Sequence, residues 1–195
     1  KGVIVSATTE KLIRYGFTSS QAAILEEMYP EVTREDSNDS DLRYRVVHLP
    51  VSLIDSSAVS ASCASTAVDE VLASFTIPAG SLGLNSILQI EPLWTFTSSA
   101  NNKILKVKVG GVVVYTATRT ASEKEGPLVV LANRNSLSSQ IHPYENTYVT
   151  AGTGVPATSS IDFSAAVDVE ITGQRANAAD TLSLQYFRAV HFVGD

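Results

Sequence analysis

The chain has 195 residues, 44% of them hydrophobic and 17% charged, and a formal net charge of -6 from 14 Lys+Arg against 20 Asp+Glu. This apolar fraction and modest charge exclude a disordered chain, the acidic balance argues against a protein that coats nucleic acid, and no apolar run approaches the ~18 residues of a membrane-spanning helix. The single cysteine, Cys63, has no partner for an internal disulfide, and reads as a small buried hydrophobe rather than a reactive thiol.

The chain starts at Lys1, and the apolar patch Val3–Val5 is shorter than the roughly 7–15 residues of a secretory signal core, so synthesis in the cytoplasm is expected. Residues 1 to about 70 hold 6 basic and 11 acidic residues, a net of -5; the rest holds 8 and 9, a net of -1. The acidic first part, 1–70, contains the expected helices. Glu10–Tyr15 forms a short one, ended by Gly16. Thr18-Ser-Ser-Gln21 fits a capping box, in which a hydroxyl caps one free N–H and glutamine reaches back to another. Ala22, Ala23, Ile24, Leu25 and Met28 then give an apolar face at helical spacing, and Tyr29-Pro30 stops the helix. A helix-turn-helix reading fails, because Glu26, Glu27 and Glu31 would face phosphate with almost no basic partner.

The polar run Arg34–Asp41 reads as an exposed loop. Counted from Asp36 as a calcium loop, the glycine and glutamate positions hold Asp41 and Val47, so that motif fails. Arg43 to Ile54 reads as strand interrupted by Pro50, and Ser56 to Ala67 as an edge strand or a linker.

From Val71 the pattern is β. Val71–Ile77 alternates and ends at Pro78-Ala-Gly80; Leu88, Ile90, Trp94 and Phe96 share a face of Ser86–Thr97. Leu105, Val107 and Val109 oppose Lys106 and Lys108, and Gly110-Gly111 joins that strand to Val112–Arg119 as a hairpin. Leu128–Ala132, Ser136–Ile141, Val167–Ile171 and Leu182–Val193 complete about eight strands without helices. The expected fold of 71–195 is an antiparallel, jelly-roll-like β-sandwich. Val112–Val114 and the group Tyr186, Phe187, Val190, Phe192 and Val193 are apolar on both strand faces, which predicts a second covered surface beyond the core.

Phe75-Thr-Ile-Pro-Ala-Gly80, Leu82, Asn85-Ser-Ile-Leu-Gln-Ile, Leu93-Trp-Thr, Asn101-Asn-Lys and Val107-Lys-Val-Gly-Gly111 together resemble the jelly-roll domains of tailed-bacteriophage virion proteins. That family includes head decoration (cement) proteins, head fibres and tail-fibre tips, and the resemblance covers roughly residues 71–194. It implies a jelly roll, a homotrimer around a threefold axis and a structural role on a virion, bound to the major capsid protein or another virion protein. Residues 1–70 would then be the attachment arm, with Ile24, Leu25, Met28 and Tyr29 as the candidate attachment surface.

Asp168 and Glu170 stand two apart on a strand, about 6.6 Å at the backbone, a spacing compatible with glycoside hydrolysis. Val167, Val169 and Ile171 alternate with them, so a solvent-facing pair on a half-buried strand is the favoured reading. His48, His142 and His191 fall in no metal-ligand spacing. Gly152-Thr-Gly154-Val-Pro-Ala157 has Pro156 where a dinucleotide-binding helix would start, and reads as a loop. Lys103, Lys106 and Lys108 form a basic stripe, expected to be solvated. Trp94 is expected in the core, with sugar stacking as its alternative. No catalytic, cofactor-binding or metal-binding set is expected. The functional alternatives are a tail-fibre tip or adaptor that recognises a glycan through Tyr115, Tyr144 or Tyr148, and a hydrolase built on Asp168 and Glu170.

Overall fold

The computed structural model describes residues 51–66, 68–143 and 155–194; the expected helices and the attachment residues Ile24, Leu25, Met28 and Tyr29 lie outside them. Residues His48–Asp195 form one compact unit. Its strands are β1 (Val51–Ser57), β2 (Ala61–Ser62), β3 (Glu70–Ile77), β4 (Ile87–Phe96), β5 (Lys103–Val109), β6 (Val112–Arg119), β7 (Lys124–Glu125), β8 (Val129–Asn133), β9 (Gln140–His142), β10 (Ala157–Ser159), β11 (Val167–Arg175) and β12 (Leu182–Phe192). They make two antiparallel sheets. The larger runs β1-β12-β4-β8-β9-β10, with β2 also on β12 and β7 on β4; the smaller runs β3-β11-β5-β6. β1 and β2 come from the stretch before residue 70 and pair with the last strand of the chain.

Period-two alternation sets the inner faces. Leu88, Ile90, Trp94 and Phe96 of β4 face Leu105, Val107 and Val109 of β5 and Val167, Val169 and Ile171 of β11 in one continuous core. Two aromatic stacks connect the sheets: Phe75 of β3 on Phe187 of β12, with centroids 5.4 Å apart, and Trp94 of β4 on Tyr115 of β6, 6.1 Å apart. Each such pair contributes about 0.5–1.5 kcal/mol beyond the area it buries. The apolar crowding of β12 resolves through a register shift between Leu184 and Tyr186. The extra residue changes the parity, so Leu184 and Phe187 both point inward while Tyr186 turns out, 43% exposed.

The β5–β6 hairpin closes as expected. Gly110 and Gly111 have φ of 56° and 77°, the left-handed pair that a tight two-residue turn requires. A Cβ on Gly110 would also come within 3.0 Å of Ile161. One strand expectation is corrected: of Ser136–Ile141, only Gln140 and Ile141 are strand, in β9. Asn135, with φ of 53°, turns the chain ahead of a loop instead. The fully buried Gln140 fastens that loop. Its Nε2 donates to Asn133 Oδ1, Leu137 O and Ile161 O, and its Oε1 accepts from Ile161 N at 2.9 Å. A buried amide with all its groups engaged specifies one loop conformation.

Candidate functional site

The outer face of the smaller sheet is largely polar, with Val113, opposite Lys108, exposed on it as well. On the smaller sheet, Ser74, Thr76, Asp168, Glu170, Lys106, Lys108, Thr116 and Thr118 point outward, because each lies one residue out of phase with the core positions. Asp168 accepts from Thr76 Oγ1 at 2.6 Å, and Glu170 lies 3.8 Å from Lys108 Nζ. The pair expected to face solvent does so. Both acids have a cross-strand partner.

The basic stripe divides in two. Lys106 and Lys108 point outward and converge on Asp69, with Nζ–O distances of 2.9 and 3.2 Å. Burial alone would raise the Asp69 pKa, but hydrogen bonds from both lysines outweigh it and hold the carboxylate below its usual range. The stripe's acidic partner is thus on the same chain. Lys103 corrects the expectation of a solvated stripe: it shares the parity of Leu105, Val107 and Val109, and its side chain is fully buried. Its Nζ donates to Ser99 Oγ at 2.7 Å, Asn101 O at 3.0 Å and Thr120 O at 3.2 Å, with Asp180 Oδ2 at 3.8 Å.

Tyr115, offered as a glycan-stacking residue, is 5% exposed and belongs to the core. Its hydroxyl donates to Glu125 Oε1 at 2.7 Å, and Arg119 grips the same carboxylate through Nε at 2.7 Å and Nη2 at 2.8 Å. Burial pushes Glu125 up, but the hydrogen bonds from Arg119 and Tyr115 prevail and its pKa is lowered from the ordinary 4.5. Unfolding releases that carboxylate to bind protons more readily. Its stabilising contribution is therefore present above about pH 4.5 and is lost as pH falls through the lower folded value. In denaturant titrations from pH 6 to pH 2, Glu125→Gln is expected to flatten the acid-side decline of stability; a slope equal to that of the unsubstituted chain would exclude this role.

Trp94 is fully buried, as expected. Cys63 is buried and donates to Gly173 O at 3.3 Å, and burial pushes its thiol pKa up, as befits an inert thiol. His142 and His191 are buried, and burial lowers the His191 pKa. Among the described residues no group of three or more His, Cys, Asp and Glu could hold a metal, and no helix is long and apolar enough to cross a membrane. His48, Tyr144, Tyr148 and residues 152–154 lie outside the described residues.

No protein-family model matches the chain, and no curated protein matches it. Among solved structures it is similar to the CBM2 module of the evolved Dit of Lactobacillus casei BL23 phage J-1, with 13% identity over 63% of this chain and 69% of that one and a TM-score of 0.34. It is also similar to the VP2 subviral particle of infectious bursal disease virus, with 17% identity, 74% of this chain, 32% of that one and a TM-score of 0.33. Sacbrood virus of honeybee is a third, with 12% identity, 74% and 72% coverage and a TM-score of 0.29. The chain spans about a third of the VP2 chain. All three superpose too loosely for a shared function to follow.

Proposed function

We propose that the chain is a non-enzymatic structural protein of a bacteriophage virion, a trimeric decoration protein on the head surface, attached through its N-terminal segment. The observation that carries the reading is the strand order. Eight strands have five or more residues, and in chain order they pair first with eighth (β1–β12), second with seventh (β3–β11), third with sixth (β4–β8) and fourth with fifth (β5–β6). That is one long antiparallel hairpin rolled into two sheets, the plan of a jelly roll. It is also the fold implied by the motifs from Phe75 to Gly111. Repeated over many symmetric copies, weak surface contacts would give firm attachment by multivalency.

The outer lysines of the smaller sheet are paired with Asp69 and Glu170, and Asp168 accepts from Thr76, which favours a binding module over a catalyst. Incubating the purified chain with capsids that lack it tests the reading. The full chain should co-sediment with the particles. A chain without residues 1–35, the region holding Ile24, Leu25, Met28 and Tyr29, should lose most of that binding. Equal binding by both would sink attachment through this segment.

A further inference from the structure

The connection from β2 in the larger sheet to β3 in the smaller crosses from one sheet to the other. Its described residues are Cys63–Thr66 and Val68–Glu70. They offer little to an apolar core: of them only Cys63 is buried, and Val68 is 66% exposed. Cys63 is inserted between the sheets. Its N–H donates to Leu182 O of β12 at 2.8 Å, and its Sγ donates to Gly173 O of β11 at 3.3 Å. A segment that buries so little apolar area gains little from the hydrophobic effect, so its hold on the sandwich depends on polar contacts.

Most of those contacts involve charge. Glu70 Oε2 accepts from the Ala64 and Ser65 N–H groups, each at 2.6 Å, and so folds the segment onto itself. Arg175 of β11 donates from Nη2 to Ala64 O at 2.7 Å and from its backbone N–H to Ser65 O at 3.1 Å. At the other end Asp69 takes Lys106 Nζ at 2.9 Å and Lys108 Nζ at 3.2 Å, both from β5. The titratable and charged groups facing Asp69 are these two lysines, with Glu170 of β11 beside Lys108; those facing Glu70 are Arg175 and the Cys63 thiol. Two carboxylates and three cations thus fasten the segment to the smaller sheet.

We propose that this segment is a charge-latched strap: it opens while the sandwich stays folded, when Asp69 and Glu70 lose their charge, and its opening uncovers the Cys63 thiol. Hydrogen bonds from the Ser65 and Ala64 N–H groups hold the Glu70 carboxyl below its ordinary 4.5. Burial works the other way on Asp69, but the two lysines prevail and hold it below its ordinary 3.8. Each carboxylate therefore fastens the strap fully above those ordinary values and releases it as pH falls through the lower folded ones. In the closed strap the thiol is buried and burial pushes its pKa up, so attack by a thiol reagent requires opening. The strap is a property of this domain by itself and does not rest on the virion reading.

Cys63 is the chain's one cysteine, so the full-length protein carries its own reporter. The rate of its exchange with dithiodipyridine, taken relative to a free thiol at the same pH, measures opening. At pH 7 that rate should be slow and almost independent of urea below the unfolding transition, because a local opening exposes little surface. Asp69→Asn should raise it by about threefold to thirtyfold and Glu70→Gln by about threefold to tenfold, with circular dichroism unchanged. Glu91→Gln, which breaks the pair with Arg188 on the larger sheet, should leave it unmoved. Acidification from pH 7 to pH 3 should raise the unsubstituted rate, and raise that of Asp69→Asn less. A rate that climbs with urea as steeply as global unfolding would mean that Cys63 is reached only when the whole domain unfolds, and would overturn the proposal even where a variant folds poorly. Rates in Asp69→Asn and Glu70→Gln equal to the unsubstituted one would overturn it as well.

Discussion

Lys103→Ala is expected to destabilise the domain by about 3–5 kcal/mol, the usual loss when one member of a buried polar network is removed. The side chain enters the end of the core from the first residue of β5, and its ammonium ties three loops together. Ser99 and Asn101 belong to the β4–β5 connection, Thr120 follows β6, and Asp180 precedes β12. Truncation takes a donor from the Asn101 carbonyl, leaves Thr120 O with the Ser99 N–H, and empties a fully buried side-chain volume. It also removes the charge facing Asp180. Burial alone would raise that carboxyl's pKa, but hydrogen bonds from Asn101 and Ser99, together with Lys103, hold it lowered. For a domain this size the loss corresponds to a fall in Tm of roughly 6–20 °C. Lys103→Met refills the stem volume but supplies no donors, so it should recover only part of the loss. A denaturant midpoint for Lys103→Ala within about 1 kcal/mol of the unsubstituted value would show that the network carries no net stability.

Trp94→Ala should cost about 3–5 kcal/mol, since it empties the largest fully buried position and breaks the stack on Tyr115. The indole Nε1–H has no acceptor among the described residues, so its loss carries no hydrogen-bond cost. Trp94→Phe should therefore lose only ring area, about 1–2 kcal/mol. Thermal melts of the two variants separate these contributions. Equal losses in Phe and Ala would mean that the NH, and not the ring area, matters. The same substitutions bear on the glycan reading: with Trp94 and Tyr115 both inside the core, a sugar has no access to either ring.

The legible part of the fold is the part governed by local periodicity. β3, β4, β6 and β12 lie within one or two residues of where alternation places them, and Gly110-Gly111 turns as its composition demands. β7 and β10 carry no such signal, because two or three residues are too few for a pattern. Lys103 departs from expectation for another reason. Its parity with Leu105 is visible in the sequence, but a lysine is expected in water unless its partners are known. Those partners sit 4, 2, 17 and 77 residues away on loops that only the fold brings together. Asp69 shows the same thing from the acidic side: 37 residues separate it from Lys106. Of the candidate sites, the outward Asp168 and Glu170 are legible in the sequence, but their partners and the burial of Tyr115 are not.

By itself, then, the sequence determined the β character, most strand limits, the inward Trp94 and Cys63, and the excess of apolar residues on β12. Tertiary structure alone decided the pairing of β1 with β12, the turning of Tyr186 outward and the capture of Lys103. The division has a physical origin. Side-chain direction within a strand repeats every two residues and is a local property, whereas register, bulges and hydrogen-bond partners depend on which distant strand lies alongside.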